Sequence, residues 1–221
     1  CEESFTPNAY FSTEYERIFI SSLSENPHYK KIIDFLSQEK FMTRKGLLEK
    51  LGTSSGGRLT ELLEELTSSG FIEKYGLYQS NLSRYGISDA YLNYFFKFIQ
   101  PELKNIHAGK YQSSPTQGLS MQAYQQYLGY AFERFCRSHV YSIAKILNFS
   151  AVKYDAGVFY NRALNQESSG FQIDLLFDRQ DRVMTICEIK YRQGKIGTSV
   201  IEAFEKKLEA LESFLLAKSR S

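Results

Sequence analysis

The chain has 221 residues, 43% of them hydrophobic and 24% charged, an ordinary globular composition with length for one large or two small cores. A net charge of +2 and a pI near 8.3 are too balanced to mark a nucleic-acid binder from bulk charge, so the distribution of charge has to carry that question. No stretch approaches the roughly 20 uninterrupted apolar residues of a membrane helix, and the N-terminus lacks the basic-then-apolar order of a signal peptide. Three cysteines without paired spacing, Cys1, Cys136 and Cys187, fit a reducing, cytoplasmic setting.

Residues 1–27 read as an N-terminal linker, with a short apolar patch from Tyr15 to Leu23 ahead of the polar break Ser24-Glu25-Asn26-Pro27. Tyr29, Ile32, Ile33 and Leu36 then recur at the spacing of one buried helical face. Thr43 is placed to cap a second helix carrying Leu47, Leu48 and Leu51, and Gly52 to end it with a left-handed residue. After the turn from Thr53 to Gly57, Leu59, Leu62, Leu63 and Leu66 repeat the stripe. Phe71–Tyr75 and Arg84–Ile87 read as extended pieces paired across the loop 76–83. Three short helices and a two-stranded ribbon make residues 28–88 a winged helix-turn-helix domain.

Asp89 is a cap for an apolar helix over Ala90–Ile99, closed by Gln100-Pro101, and the polar stretch 103–120 reads as a flexible boundary, so 89–120 is taken as connector helix and linker. From 121 to 221 the order is α-β-β-β-α. A long helix covers about Met121–Leu147, with Leu128, Ala131, Phe132, Phe135, His139 and Ile143 on one face. Extended segments follow at Ala151–Tyr160, Gly170–Phe177 and Arg182–Tyr191. A last helix over about Ser199–Ala217 repeats Ile201, Phe204, Leu208, Leu211 and Leu215. The fold class is α/β (α+β). The chain starts at Cys1 without a methionine and stops just after a helical pattern, which reads as a fragment of a longer polypeptide.

The chemistry-bearing residues sit in the extended segments. A period of two puts Ile173, Leu175 and Phe177 on one face and Gln172 and Asp174 on the other. In Ile186-Cys187-Glu188-Ile189-Lys190 it places Glu188 beside Lys190. If the two segments are hairpin neighbours, Asp174 and Glu188 converge on one hard cation such as Mg²⁺, which keeps several waters for substrate phosphate. Lys190 then stands ready to position a water or stabilise developing charge, and Glu133 on the long helix adds a third carboxylate. The reaction implied is metal-dependent phosphodiester hydrolysis. Glu-x-Lys on a strand is equally the signature of a solvated ion pair, so the pattern alone leaves both readings open.

Other chemistries find no support. His28, His107 and His139 lack the spacing of a zinc site, and His139 on an apolar helix face reads as a core histidine. No G-x-x-x-x-G-K-[ST] sequence occurs, so this chain carries no ATPase site. The third helix of the winged domain offers Arg58 to nucleic acid, but Glu61, Glu64 and Glu65 repel phosphate, which favours an interdomain or protein-contact role. Basic residues outnumber acidic ones only in the second half. There Arg179, Arg182, Arg192, Lys195, Lys206 and Lys207 line either a phosphate-backbone path or a scattered solvated surface.

The runs Tyr130-Ala131-Phe132-Glu133-Arg134-Phe135-Cys136, Gly170-Phe171-Gln172-Ile173-Asp174-Leu175-Leu176 and Ile186-Cys187-Glu188-Ile189-Lys190-Tyr191 resemble the C-terminal region of archaeal-type AAA-like ATPases. In that family a P-loop ATPase module is followed by a winged helix and a domain resembling the PD-(D/E)XK (restriction-endonuclease-like) nucleases. The resemblance implies Glu133 as the first-helix acid, Asp174 and Glu188 as metal ligands, Lys190 as the motif lysine and Mg²⁺ as cofactor. It further implies nucleic acid and the chain's own N-terminal ATPase domain as partners, with ATP bound only by that module. Three departures stand out: the ATPase module is absent from this sequence, the strand expected after the last helix is missing beyond Ser221, and that helix lacks the Gln-x-x-x-Tyr element of RecB-like relatives. A non-catalytic DNA- or protein-binding scaffold that regulates the ATPase is the alternative.

Overall fold

The computed structural model describes residues 1–22, 26–39, 41–52, 56–76, 83–161, 170–192 and 194–219. They divide into two compact units, the first ending at Tyr127 and the second running from Leu128 onward. The boundary thus falls inside a helix, not at residue 120. Residues 53–55 of the turn read at Thr53–Gly57 and residues 77–82 of the loop read at 76–83 lie outside the described residues, while Gly56 and Gly57 belong to a helix and Gly76 and Ser83 to strands.

The first unit begins with helices α1 (Glu2–Phe5), α2 (Tyr10–Ser22) and α3 (Pro27–Ser37). Strand β1 (Met42–Thr43), helices α4 (Arg44–Leu51) and α5 (Gly56–Ser68), and strands β2 (Ile72–Gly76) and β3 (Ser83–Ile87) follow. The three strands form one sheet in the order β1-β3-β2. Strand β1 escapes sequence patterning because it is two residues long, and it is paired antiparallel to β3 through Met42–Tyr85 and Thr43–Arg84. Thr43 does cap α4, its hydroxyl accepting the Gly46 N–H at 3.2 Å, and Gly52 ends that helix at φ 64°. The apolar stripes of α3 and α5 supply Ile32, Ile33, Leu36, Leu59, Leu63 and Leu66, all essentially inaccessible.

The described residues of the two segments read as linkers, 1–22 and 26–27 of the first and 103–120 of the second, are instead packed structure. Phe5 and Tyr15 from α1 and α2 are buried, and the Tyr15 ring stacks on Phe95 at 4.4 Å. The chain after β3 passes through α6 (Ala90–Tyr94), capped by Asp89, a wide turn of π-helix (Phe95–Ile99) and a 3₁₀ turn (Gln100–Glu102) into α7 (Leu103–His107). The apolar helix therefore continues past Pro101, whose missing N–H is tolerated in the first turn of the new segment. Ile106 and Tyr111 join the core, and a 3₁₀ turn at Pro115–Gly118 comes so close to Phe5 that no side chain fits between them. A few apolar anchors in polar surroundings are invisible to composition but suffice to hold the segment.

The second unit takes the end of α8 (Met121–Ser138), then α9 (Val140–Ile146), strands β4 (Tyr154–Asn161), β5 (Phe171–Arg179) and β6 (Met184–Cys187), and α10 (Thr198–Ser219). The single helix read over 121–147 is broken at His139, whose backbone leaves helical geometry at φ −119°, ψ 35°. The His139 ring is exposed, stacking on Phe135 at 4.2 Å with Nδ1 2.8 Å from the Phe135 carbonyl oxygen; it is not a core histidine, and Phe135 itself is 57% exposed. The strands form an antiparallel sheet in the order β4-β5-β6. One face buries Leu175 and Phe177 with Phe149, Ala144, Phe132 and Ile143 of the α8–α9 side. The other buries Ile173 and Leu176 with Phe159 and with Leu211 and Phe214 of α10. In α10, Leu211 is the buried anchor, whereas Ile201, read as part of the stripe, is 53% exposed.

Ile173 therefore does not share a face with Leu175 and Phe177. The register between β4 and β5 slips by one residue between the pairs Gly157–Leu176 and Phe159–Ile173, so Asp174 and Leu175 together oppose Val158. Such a bulge rotates the side chains on either side of it relative to simple alternation.

A Cβ on Gly118 would lie 2.5 Å from Phe5 Cδ1, while one on Gly129 of α8 meets nothing within 4 Å. Gly118→Ala is expected to destabilise the chain by about 1–3 kcal/mol through overpacking. Gly129→Ala is expected to stabilise it by about 0.5–1 kcal/mol through helix propensity. Denaturant titration of the two variants beside the parent chain checks both signs.

Candidate functional site

The site is built where β5 and β6 stop being a ladder. Their register pairs Leu175 with Cys187, so Asp174 and Glu188 would be the next opposed pair. No further rung forms. Instead the Asp174 carboxylate turns across the gap and its Oδ2 accepts the backbone N–H of Ile189 at 3.0 Å, while its Oδ1 accepts from Gln172 Nε2 at 3.3 Å. Strand β6 therefore ends at Cys187, short of the Arg182–Tyr191 segment read from the sequence. A side chain has replaced a carbonyl as the acceptor for that N–H.

Ile189 is 8% exposed and turned into the α8–α9 side of the core, which fixes its two neighbours on the opposite side. The Lys190 ammonium donates to Glu188 Oε1 at 2.7 Å and lies 3.8 Å from Asp174 Oδ2. It thus bridges the two carboxylates. Asp174 and Glu188 have side chains only 7% and 12% exposed, so their charges need these partners. Glu133, on α8, is 15% exposed and ion-paired with Arg137 one turn along, at 3.9 Å. Its charge also reaches Lys190.

One member of the cluster was not assigned to it by sequence reasoning. Lys207 of α10, read there among the basic residues lining either a phosphate-backbone path near the metal site or a scattered solvated surface, donates to both oxygens of Glu188 at 2.8 Å. Arg137 was likewise passed over, although its position four residues after Glu133 on a helix was a usable signal. Nothing local marks Lys207, which is 19 residues from its partner.

The remaining basic residues are placed less suggestively. Arg179 is held in its turn: Nε donates to Asp181 Oδ1 at 3.1 Å, a second nitrogen pairs with the other Asp181 oxygen, and the guanidinium lies 4.5 Å over the Phe149 ring. Arg182, at φ 66°, and Arg192, Lys195 and Lys206 are exposed, as is Arg58 on α5 beside the equally exposed Glu61, Glu64 and Glu65.

The electrostatics follow from this geometry. Burial on its own would raise the Glu188 pKa, but hydrogen bonds from Lys190 and Lys207, reinforced by their charges, hold it below the ordinary glutamate value. Burial would likewise lower Lys190, yet the hydrogen bond to Glu188 and the charges of Asp174, Glu188 and Glu133 hold it above the ordinary lysine value. Lys190 is therefore an ammonium at neutral pH, suited to stabilising negative charge and unable to accept a proton there.

The donors match a hard divalent cation in kind. Asp174 and Glu188 are carboxylates, and Mg²⁺ is commonly held by one or two carboxylates plus water and phosphate. Among the described residues no three His, Cys, Asp or Glu side chains already converge as a metal cage. Access to Glu188 depends on the lysines, since Oε1 accepts two ammonium donors and Oε2 one.

Because the Glu188 pKa is depressed in the folded chain, its pairing stabilises the fold above the ordinary glutamate pKa, and that contribution disappears as pH falls through the depressed value. For Lys190, raised on folding, the contribution is complete below the ordinary lysine pKa and is lost as pH rises through the folded value. In Glu188→Gln, the drop in melting temperature between neutral pH and about pH 3 is expected to be smaller than in the parent chain. Thermal melts at a series of pH values measure this directly.

Among the described residues no helix is long and apolar enough to cross a membrane. No curated protein matches the chain. Among solved structures, a cysteine-to-serine mutant of MarR from E. coli is similar with a TM-score of 0.31 and 14% identity, over 62% of this chain and 91% of that one. A family profile, DUF234, described as archaeal and bacterial proteins of unknown function, matches residues 95–207, a span that contains Glu133, Asp174, Glu188, Lys190 and Lys207. The chain is a member of this archaeal and bacterial family.

Proposed function

We propose that this chain is the C-terminal part of an archaeal-type AAA-like ATPase. In this reading its second unit is a PD-(D/E)XK nuclease-like domain that binds nucleic acid and hydrolyses its phosphodiester backbone with Mg²⁺. The observation that carries the reading is the bridging of Asp174 and Glu188 by Lys190. Three separate segments, β5, the chain after β6 and α10, contribute to one small charged cluster, and a solvated surface pair needs no such convergence. The order α8-α9-β4-β5-β6-α10, with helices on both faces of an antiparallel sheet, supports the same reading. In the first unit, the order helix-strand-helix-helix-strand-strand and the sheet order β1-β3-β2 support a winged helix.

In this mechanism Asp174 and Glu188 would hold the cation, which would supply Lewis-acid activation of phosphate and water. Asp174 is set rigidly by the Ile189 N–H, so its free lone pairs keep one direction. Lys190, permanently protonated, stabilises charge that develops on the phosphoryl oxygens. Glu133 adds negative charge on the helix side, which helps keep Lys190 charged.

A second reading, a non-catalytic scaffold that senses a protein or nucleic acid and signals to the ATPase, draws on one observation. Two carboxylates and two lysines already form a charge-balanced set without any cation. The exposed acids of α5 fit a protein contact better than a DNA contact.

Incubation with linear, circular and single-stranded DNA and with RNA, in Mg²⁺ or Mn²⁺, separates the two. The nuclease reading expects cleavage that falls by about 10²–10³-fold in Asp174→Ala, Glu188→Ala and Lys190→Ala. Absence of cleavage by the parent chain and by the full-length protein, or cleavage that survives Asp174→Ala, removes the enzyme and leaves the scaffold.

A further inference from the structure

We infer that Lys207 is a built-in counter-ion that occupies the cation seat on Glu188 until a divalent metal arrives, and that it is then released to grip a substrate phosphate. The inference rests on the metal-site reading above and assigns a positioning role to a residue outside the Asp–Glu-x-Lys pattern. Its basis is the geometry of Glu188. Lys207 Nζ sits 2.8 Å from each carboxylate oxygen, in the position a chelated cation would take. Three of the roughly four lone-pair sites of that carboxylate are filled, one by Lys190 and two by Lys207. A metal cannot share an oxygen lone pair with an N–H donor, so ligation through both oxygens requires an ammonium to leave.

Lys207 is the one placed to leave. Lys190 is drawn to Glu188, Asp174 and Glu133 together, whereas Lys207 is held by Glu188 from across the sheet edge. Its side chain is 27% exposed and rides on a four-carbon stem from α10, which is anchored four to eight residues further on by Leu211, Phe214 and Leu215. The ammonium can therefore swing while the helix stays docked. Charge balance points the same way. Asp174 and Glu188 are neutralised by Lys190 and Lys207, and adding a divalent cation to that half-buried set leaves a net positive centre. Removing Lys207 from Glu188 relieves this excess, and a phosphate of the substrate is the anion that recovers its charge.

The test uses Ca²⁺, which occupies such oxygen sites without requiring turnover, and reads affinity by calorimetry. Lys207→Met, which keeps the length of the stem and removes the charge, is expected to tighten Ca²⁺ binding about tenfold. Lys207→Arg, which keeps a two-pronged cation on Glu188, is expected to stay near the parent value. A second measurement follows duplex binding against salt. With Ca²⁺ present, Lys207→Met should flatten the logarithmic salt slope by about 0.9, the signature of one lost phosphate contact, and without Ca²⁺ the slope should not change. Circular dichroism melts establish that the variants are folded, and if Lys207→Met is not, the comparison of Lys207→Arg with Lys207→Gln takes its place. Unchanged or weaker Ca²⁺ binding in the neutral variant, or a slope change indifferent to Ca²⁺, overturns the role of Lys207. If Asp174→Ala and Glu188→Ala also bind Ca²⁺ as the parent does, the metal site itself is lost, and with it the reading on which this inference stands.

Discussion

The hydrogen bond from the Ile189 backbone to the Asp174 carboxylate is the constraint around which the second unit is arranged. A carboxylate with 7% exposure is unfavourable unless it is hydrogen-bonded and paired, because the water it loses would have solvated its charge on all sides. Asp174 meets that requirement by taking an N–H that the β5–β6 ladder would otherwise have used. The ladder ends there, and the chain beyond Cys187 is freed from the sheet while remaining tied to it at one point. The slip of register opposite Val158 falls at Asp174 itself and puts Ile173 on the face away from Leu175 and Phe177.

From that single tie the positions of the other charges follow. Ile189 is drawn into the apolar face with Phe132 and Phe149, so Glu188 and Lys190 are left on the far side, next to Asp174. Lys190 then serves two acids, and the second oxygen of Glu188 turns to α10, where Lys207 closes the set. In a polar surface cluster these pairs would contribute little. Here the side chains are between 7% and 33% exposed, and removing one partner leaves a poorly hydrated charge behind. This is why the stability of the fold at low pH is expected to depend on these residues.

The first unit is organised differently, by rings rather than charges. Tyr15, Phe95 and Phe96 stack and cross within 4.4 to 5.5 Å, and Phe98, Tyr124 and Tyr127 form a second group with Tyr94. Aromatic clusters of this kind bury large area with few rotatable bonds, and they draw α1, α2 and the segment after β3 into the same core as the helices from α3 to α5. Along the wide turn at Phe95–Ile99, Phe95, Phe98 and Ile99 are all buried, at the i, i+3, i+4 spacing of one helical face.

What could be read directly along the chain was everything whose physics is local. Helical stripes such as Ile32-Ile33-Leu36 and Leu59-Leu63-Leu66, the caps at Thr43 and Asp89, the left-handed Gly52 and the nearness of Glu188 to Lys190 all depend on neighbours within a few residues, so the spacing of residue types carries them. The opposition of Asp174 to Glu188 was legible too, because a short turn between two extended segments leaves few registers. The break at His139, the bulge at Asp174, the burial of Phe5 against Gly118 and the recruitment of Lys207 were not. Each depends on which distant surface a residue meets, and a chain whose periodicity is satisfied in several ways does not encode that meeting in any one window. Lys207 is the sharpest case: along the chain it is one basic residue of a solvated helix, and it becomes part of a charged site because Leu211 docks α10 on the sheet and brings its ammonium to Glu188.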